Sequence, residues 1–210
     1  MTIQASIQLL NFDNEFKQNI QKEIQKKISS IMPGVIKVIK QKLEIELYNA
    51  ISSSDTWRAI KGGVLRGELG IQNVSSIDNI LDTWAKGIQV EYETNKEFGI
   101  IKIGMIRADY SDVLSLPQSS FSYVSSRGGG VIEWLRWLLL ESTQIIVAGY
   151  EFNTRNSGRT GLGIMVKTGG GWSVPTQYAG SATDNFATRS LADIEKVIDR
   201  VVQEEVSRRF

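Results

Sequence analysis

The amino-acid sequence predicts an α+β fold, with a mostly antiparallel β-sheet packed against a long, kinked N-terminal helix and a C-terminal helix. Three observations predict it: an apolar stripe of helical period in the first quarter of the chain, short alternating segments in the middle, and a second helical stripe at the end. No internal repeat or second-domain boundary is visible in the 210 residues, so we expect a single domain.

The chain opens with a short segment of period two. Ile3, Ile7 and Leu9 alternate with polar residues, which is typical of a half-buried strand, so residues 1–12 are predicted to form an N-terminal strand or arm. Because this strand is terminal, we expect it to add to the sheet edge of a neighbouring subunit.

A helical period replaces the alternation from about residue 13. The apolar stripe of this helix consists of Phe16, Ile20, Ile24, Ile28, Ile31, Val35, Ile39, Leu43 and Leu47. Pro33 and Gly34 interrupt the stripe without changing its phase, so residues 13–51 are predicted to form one kinked helix or two helices nearly in register. A continuous helix would extend about 58 Å, whereas a compact chain of 210 residues is about 43 Å across. Part of the stripe would then need a partner chain, while a break at Pro33 would let both halves lie on the core.

Residues 62–210 are predicted to form the α+β core. An amphipathic helix is expected to begin at a weak capping box formed by Ser75 and Asp78. Its apolar face consists of Ile77, Ile80, Leu81, Trp84 and Ile88. Alternating apolar residues at 89–92 and 101–105 then predict an antiparallel strand pair.

The second half of the core begins with a polar, serine-rich stretch at 109–126. We interpret residues 109–130 as a mobile loop that contacts a partner, and residues 131–140 as a short helix that is apolar nearly all round and therefore buried. The remaining elements are two strands joined by a hairpin loop and a terminal helix, at 144–152, 162–167 and 185–208.

Composition restricts the chemistry. The formal net charge is +1 and the sequence contains neither histidine nor cysteine. The usual general base near neutral pH, the commonest transition-metal ligand and the thiolate nucleophile are therefore missing. We expect no enzymatic activity, cofactor or metal. The opening residues lack the pattern of a signal peptide and no apolar run is long enough to cross a bilayer, so we expect a soluble protein made in the cytoplasm, without membrane contact.

Three groups of residues are weaker candidates for ligand sites. The glycines at 128–130 precede the predicted helix and are a candidate anion site, but a hinge is the simpler interpretation. Asp109, Asp112 and Glu133 are carboxylates without the spacing of a known metal motif. The lysines of the first helix would suit a nucleic-acid-binding module or, more simply, a solvated face. An enzyme would require Asp109, Glu133 and Arg159 to meet in one cleft.

Three segments carry a resemblance to a known family. Residues 63–70, Gly-Val-Leu-Arg-Gly-Glu-Leu-Gly, follow the long helix and are similar to the Gly-x-Leu-Arg step of phage tail-completion and neck proteins. Residues 130–139, with 158–161 and 169–175, resemble virion proteins of contractile-tailed phages. Residues 184–191 resemble the Pro-Phe-hydrophobic-Arg-Pro-Ala entry to the last helix of that family, with both prolines replaced.

The resemblance implies a structural virion protein, made in the host bacterial cytoplasm, that forms a hexameric or dodecameric ring in the neck. Its expected partners are other copies of itself, the portal or adaptor protein, and the tail-tube or tail-terminator protein, and DNA would pass through the ring without sequence-specific binding. A tail terminator or another tail or baseplate subunit is the alternative. The residues expected at interfaces, with the tryptophans equally open to a core role, are Ile3, Ile7, Leu9, Ile20, Ile24, Ile31, Trp134, Trp137, Arg159 and Trp172.

Overall fold

The computed structural model describes residues 2–6, 14–94, 98–125, 128–141, 145–158 and 160–209. Its architecture is α+β, as the sequence predicts, but the strands are divided among three small antiparallel sheets. The helices are α1 (Asn14–Ser52), α2 (Asp55–Gly62), α3 (Val64–Leu69), α4 (Asp78–Lys86), α5 (Ser111–Leu114), α6 (Trp134–Arg136) and α7 (Phe186–Ser207). The strands are β1 (Thr2–Ser6), β2 (Gln89–Thr94), β3 (Phe98–Gly104), β4 (Phe121–Ser125), β5 (Gly128–Ile132), β6 (Val147–Asn153) and β7 (Ile164–Trp172).

The first sheet has the order β1-β3-β2. The predicted antiparallel pair is confirmed, because Val90 lies opposite Ile103 and Tyr92 opposite Ile101. The opening strand pairs with β3 of its own chain, with Ile3 opposite Ile101, so β1 already has one partner strand within the subunit. The other two sheets are the hairpins β4-β5 and β6-β7.

Helix α1 is continuous from Asn14 to Ser52, with Pro33 inside it. The alternative of two separate helices is therefore wrong. Pro33 and Gly34 both lie on the exposed side of the helix, where a missing backbone N–H leaves its carbonyl partner open to water. The apolar stripe keeps its phase across the proline because the helix itself is not interrupted.

The second half of α1 is the centre of the core. Its stripe residues are 0 or 1% exposed, namely Val35, Ile39, Leu43, Leu47 and Ile51. Helix α7 runs antiparallel along this half: its start packs through Phe186 on Trp57, just beyond the end of α1, with ring centroids 6.1 Å apart. Near its end, Glu205 accepts a 2.7 Å hydrogen bond from the Lys42 ammonium. Helix α4 also packs on α1, so the second half is enclosed.

The ion pair at Glu205 makes the packing of α7 on α1 dependent on pH. The Lys42 hydrogen bond and charge, with Arg208 nearby, hold the pKa of Glu205 below the ordinary value of 4.5. A carboxylate with a lowered pKa stabilises the fold above its unfolded pKa, and that contribution is lost as the pH falls through the folded pKa. We expect Glu205→Gln to unfold more easily than the wild type at pH 7, with the difference vanishing at pH values below the folded pKa.

Thermal unfolding midpoints measured between pH 7 and pH 3 would check this expectation. Glu204→Gln is the matched control, because the Glu204 side chain is 46% exposed and lies 4.0 Å from the Lys42 ammonium. Its unfolding profile should follow that of the wild type, since an exposed pair contributes little. A Glu205→Gln profile that coincides with the wild type at every pH would contradict the assignment.

Helices α2 and α3 follow α1 and are not among the predicted elements. Ser54 caps α2 by accepting a 3.2 Å hydrogen bond from the Trp57 amide. In α3, Gly67 permits the β6-β7 hairpin to approach closely, because a Cβ there would come within 2.7 Å of the Leu162 Cβ. The neighbouring Glu68 accepts a hydrogen bond from Trp172, and burial raises the pKa of the Glu68 carboxyl.

Residues 109–125 are ordered, so their interpretation as a mobile loop is wrong. They contain α5, a 3-10 turn at Pro117–Ser119 and β4. Tyr110 adopts a positive φ of 54°, is 2% exposed, and donates a 2.9 Å hydrogen bond to the carbonyl of Ala182. This order arises from the long-range bond and from the burial of Val113. The polar local sequence predicts neither of them.

A single buried asparagine joins four segments of the core, and we call its hydrogen bonds the Asn185 junction. The side-chain oxygen of Asn185 caps α7 by accepting from the amides of Ala187 and Thr188. The two N–H groups of its side-chain nitrogen face three acceptors, so one of them is shared: the Tyr110 hydroxyl at 2.7 Å, the Ser181 carbonyl at 2.9 Å and the Leu139 carbonyl at 3.3 Å. The predicted C-terminal helix is thereby confirmed, with a much stronger anchor than its sequence suggested.

Two predicted helix starts are wrong. The glycines at 128–130 belong to β5 and pair with β4, so they do not form the anion-binding helix entry. Helix α4 begins after Ile77 without a side-chain cap, so Ser75 and Asp78 form no capping box. The buried apolar helix predicted at 131–140 is confirmed, but it begins later. It consists of α6 and a π-helical turn at Trp137–Glu141 that continues it. The predicted hairpin at 144–167 is confirmed by β6 and β7.

Candidate assembly interface

The first half of α1 has an apolar stripe that its own chain covers incompletely. No described side chain between residues 14 and 31 is buried, whereas Met32 and the stripe beyond it are 3% exposed or less. Phe16 is 49% exposed, and Ile20 and Ile24 are half-buried without belonging to the core cluster. We call Phe16, Ile20, Ile24 and Ile28 the open stripe.

The open stripe follows from where the covering elements end. Helix α7 terminates at Ser207, within one turn of the residue that bonds Lys42, so it does not reach the start of α1. Ile28 and Ile31 contact the edge of the core, and the helix beyond them extends roughly another 20 Å at 1.5 Å per residue. The expectation of an incompletely covered stripe agrees with the exposure of residues 14–27, and it is wrong for the half beyond Val35.

Charged residues surround the open stripe without forming a single basic face. Lys22, Lys26 and Lys27 are exposed, with Glu23 among them. Farther along the helix Lys42 bonds Glu205, and Lys40 lies 4.0 Å from Glu44. Acidic partners offset the charge of Lys40 and Lys42, so that part of the helix is closer to a solvated face than to a phosphate-binding surface.

The three tryptophans considered as interface anchors lie mainly in the core. Trp134 is 1% exposed and donates a 2.8 Å hydrogen bond to the carbonyl of Gln118, and Trp172 is 6% exposed. Both are unavailable to a partner, so their role as interface anchors is wrong for the folded subunit. Trp137 is half-buried and packs on Trp172 with ring centroids 6.1 Å apart.

The other predicted interface residues lie on α1, in β1 or outside the described residues. Ile20, Ile24 and Ile31 lie on the first half of α1, and Ile3 lies in β1, where only the backbone is described. Ile7, Leu9 and Arg159 fall outside the described residues, and so does the meeting of Arg159 with Asp109 and Glu133 that an enzyme would require. Phe16 and Ile28 lie on the same open stripe as Ile20 and Ile24, and their place in the helical period is the signal that identifies them.

The carboxylates considered for a metal site have other partners. Asp109 accepts hydrogen bonds from the Ser111 amide and hydroxyl, which lower the pKa of its carboxyl. Asp112 accepts a 3.0 Å bond from the amide of Val113. Within the described ranges, no three acidic side chains come together as metal ligands.

Free strand edges are a second feature relevant to assembly. Among the described strands, β1 and β2 form the two edges of the first sheet, and β4 has a partner only on its β5 side. The β2 edge has two exposed carboxylates, Glu91 and Glu93. By contrast, β1 and β4 contain no charged residue. Charged edges resist pairing with further strands, whereas uncharged edges do not.

Comparison with known proteins assigns no relative to this chain. No protein-family model, curated protein or solved structure matches it. In the part of the chain that the structure describes, no helix is long and apolar enough to cross a membrane.

Proposed function

We propose that this chain is a structural, non-enzymatic virion subunit of a tailed bacteriophage. In this role it forms a homo-oligomeric ring, a hexamer or dodecamer, in the neck between the DNA-filled head and the tail. The portal or adaptor protein and the tail-tube or tail-terminator protein are its neighbours. A tail terminator or another tail or baseplate subunit is the closest alternative, and it would use the same interface between copies.

The open stripe is the observation that carries the proposal. Apolar side chains on a projecting helix gain free energy when a partner covers them, and half-burial of four such residues is worth roughly 4 kcal/mol. Other copies of the same chain are the simplest partners to bury the open stripe, because each copy contributes the same helix.

The motifs that resemble the phage family have defined structural roles here, which supports the proposal further. In the Leu-Arg step, Leu65 is 1% exposed and Arg66 donates to the carbonyls of Ile71 and Gln72, which fixes the turn after α3. At the entry to the last helix, Arg189 bonds Asp184 at 2.7 Å beside the Asn185 cap. Both motifs therefore set the positions of helices around α1.

The test is the oligomeric state of the full chain. In sedimentation velocity over a range of concentrations, we expect the wild type to form a discrete hexamer or dodecamer, with ring-shaped particles in negative-stain electron microscopy. Ile24→Glu should sediment mainly as a monomer, because it places a charge in the centre of the open stripe. Its circular dichroism should remain that of the wild type, since Ile24 lies outside the core.

Ile45→Glu is the matched control. It is the same substitution on the same helix, but Ile45 is 61% exposed and lies off the stripe. This variant should assemble like the wild type. A wild-type chain that stays monomeric at every concentration, alone and with portal or tail proteins, would refute the proposal. Flanking genes that encode portal, capsid and tail-tube proteins would support the neck assignment over the alternatives.

A further inference from the structure

The open stripe alone is a small contact for a stable ring. Association costs at least about 4 kcal/mol in lost translational and rotational freedom, which is as much as the stripe contributes. A subunit in a ring also needs two contact surfaces, one for each neighbour, unless one patch serves both. A second contact is therefore required if the proposed function is correct.

We propose that the outer edge of β1 in one copy pairs with the free edge of β4 in the next copy, which joins the two sheets into one. This inference rests on the proposed function, because it assumes that copies assemble. The outer edge of β1 is called the donor edge, and the edge of β4 opposite β5 is called the acceptor edge. The joined sheet would have the order β2-β3-β1-β4-β5, with the last two strands from the neighbour.

Charge distinguishes these two edges from the others. Strands β1 (Thr-Ile-Gln-Ala-Ser) and β4 (Phe-Ser-Tyr-Val-Ser) are uncharged. Of the other strands with an open edge, β2, β6 and β7 contain charged residues, and β5 contains three glycines, which disfavour extended pairing. The donor and acceptor strands also match in length, at five residues or about 17 Å each.

The start of the acceptor edge opens into a cleft of about 390 Å³. Ser120, Phe121 and Ser122 all line it, although successive residues of an extended chain point to opposite faces. The cleft therefore includes the backbone at the start of β4, where an added strand would begin to pair. The described residues that line it are uncharged, and the opposite wall includes the exposed amides of Gln72 and Asn73.

The chemistry of the cleft therefore fits an uncharged extended segment. Backbone hydrogen bonds would supply the affinity, and amide and hydroxyl side chains at the rim would bond the polar residues of β1. Because the donor and acceptor edges are different surfaces, the contact is head-to-tail. Head-to-tail contacts generate closed rings when the rotation between neighbours closes.

Disulfide cross-linking in full-length chains tests this pairing, and the absence of native cysteine removes any background. Adjacent strands bring opposite Cα atoms to about 5 Å, within the range that a disulfide spans. Chains carrying Ala5→Cys or Gln4→Cys on β1 would be co-expressed with differently tagged chains carrying Ser120→Cys or Ser122→Cys. The purified assembly would then be oxidised and examined on non-reducing gels.

We expect covalent heterodimers of the two tagged chains from at least one pairing, and much less product when either variant is expressed alone. Chains with Ser173→Cys replace the acceptor variants as the control, because Ser173 is exposed and lies outside β4. In a chain that carries both the donor and the acceptor cysteine, the gel should show a ladder that ends at the number of subunits in the ring.

Sedimentation of the same samples separates the two proposals. Assemblies that form normally but give no more donor–acceptor product than the Ser173→Cys control would refute the strand pairing and leave the proposed function standing. A wild-type chain that never assembles would refute both. Ser122→Lys offers an independent check, since a lysine at the acceptor edge should shift the wild-type oligomer towards smaller species, whereas Ser173→Lys should not.

Discussion

Asn185→Ala should lower the free energy of unfolding by about 3 kcal/mol, because it removes a helix cap and the hydrogen bonds that the side-chain nitrogen donates in the core. The cap accounts for about 1 kcal/mol, and the two N–H groups that bond the Tyr110 hydroxyl and the carbonyls of Leu139 and Ser181 account for about 1 kcal/mol each. Since small domains are stable by only about 5–15 kcal/mol, the variant would lose a large share of its stability. Urea unfolding followed by tryptophan fluorescence measures the change.

Two companion variants make the result specific. Asn185→Ser retains an oxygen for the cap but not the bonds that the side-chain nitrogen donates. Its free energy of unfolding should therefore lie between those of the wild type and Asn185→Ala. Asn49→Ala removes an exposed asparagine side chain from α1 and should change stability by less than about 0.5 kcal/mol. An Asn185→Ala chain as stable as Asn49→Ala would show that the Asn185 junction contributes little to the fold.

Ile39→Ala and Ile24→Ala should affect different properties, although both remove the same atoms from the same helix. The first should lower the stability of the subunit, and the second should weaken self-association. Ile39 is fully buried, so its truncation leaves a cavity and should cost about 3 kcal/mol of unfolding free energy. Ile24 is half-buried and outside the core, so its truncation should cost the isolated subunit less than about 1 kcal/mol. Ile24→Ala should instead weaken self-association.

The two effects have to be measured separately, because assembly stabilises the folded subunit in proportion to concentration. Urea unfolding at a concentration where the wild type has dissociated gives the stability of the subunit, and sedimentation at higher concentration gives the association. If Ile24→Ala destabilised the dissociated subunit as much as Ile39→Ala, the first half of α1 would be part of the core. The open stripe would then no longer support assembly.

Much of the helical architecture follows from periodicity in the sequence. The stripe of α1, the face of α4 and the terminal helix are predicted because every third or fourth residue is apolar over several turns. The strands β2, β3, β6 and β7 are predicted from alternation and turn residues. Helices α2 and α3 were missed because each is shorter than nine residues, and Gly62, Gly63 and Gly67 give them the composition of a loop.

Other features depend on contacts between distant residues, which a local pattern does not contain. The order of residues 109–125 depends on Tyr110 reaching Ala182 and Asn185, which are 72 and 75 residues away in the sequence. For the candidate interface, the sequence identifies the stripe but not which half is covered. That depends on where α7 ends relative to Lys42 once the two helices have packed. Likewise, burial of Trp134 and Trp172 is a property of the packed core.

The carboxylates on the outer edge of β2 affect how the chain behaves at high concentration. A further strand could approach this edge only by stripping water from the Glu91 carboxylate and from the ion pair in which Glu93 lies 2.6 Å from the Lys102 ammonium, which is unfavourable without new partners for these charges. Sheet extension from that side is thereby disfavoured. A cell that produces many copies of this chain would be protected on this side against open-ended, amyloid-like stacking.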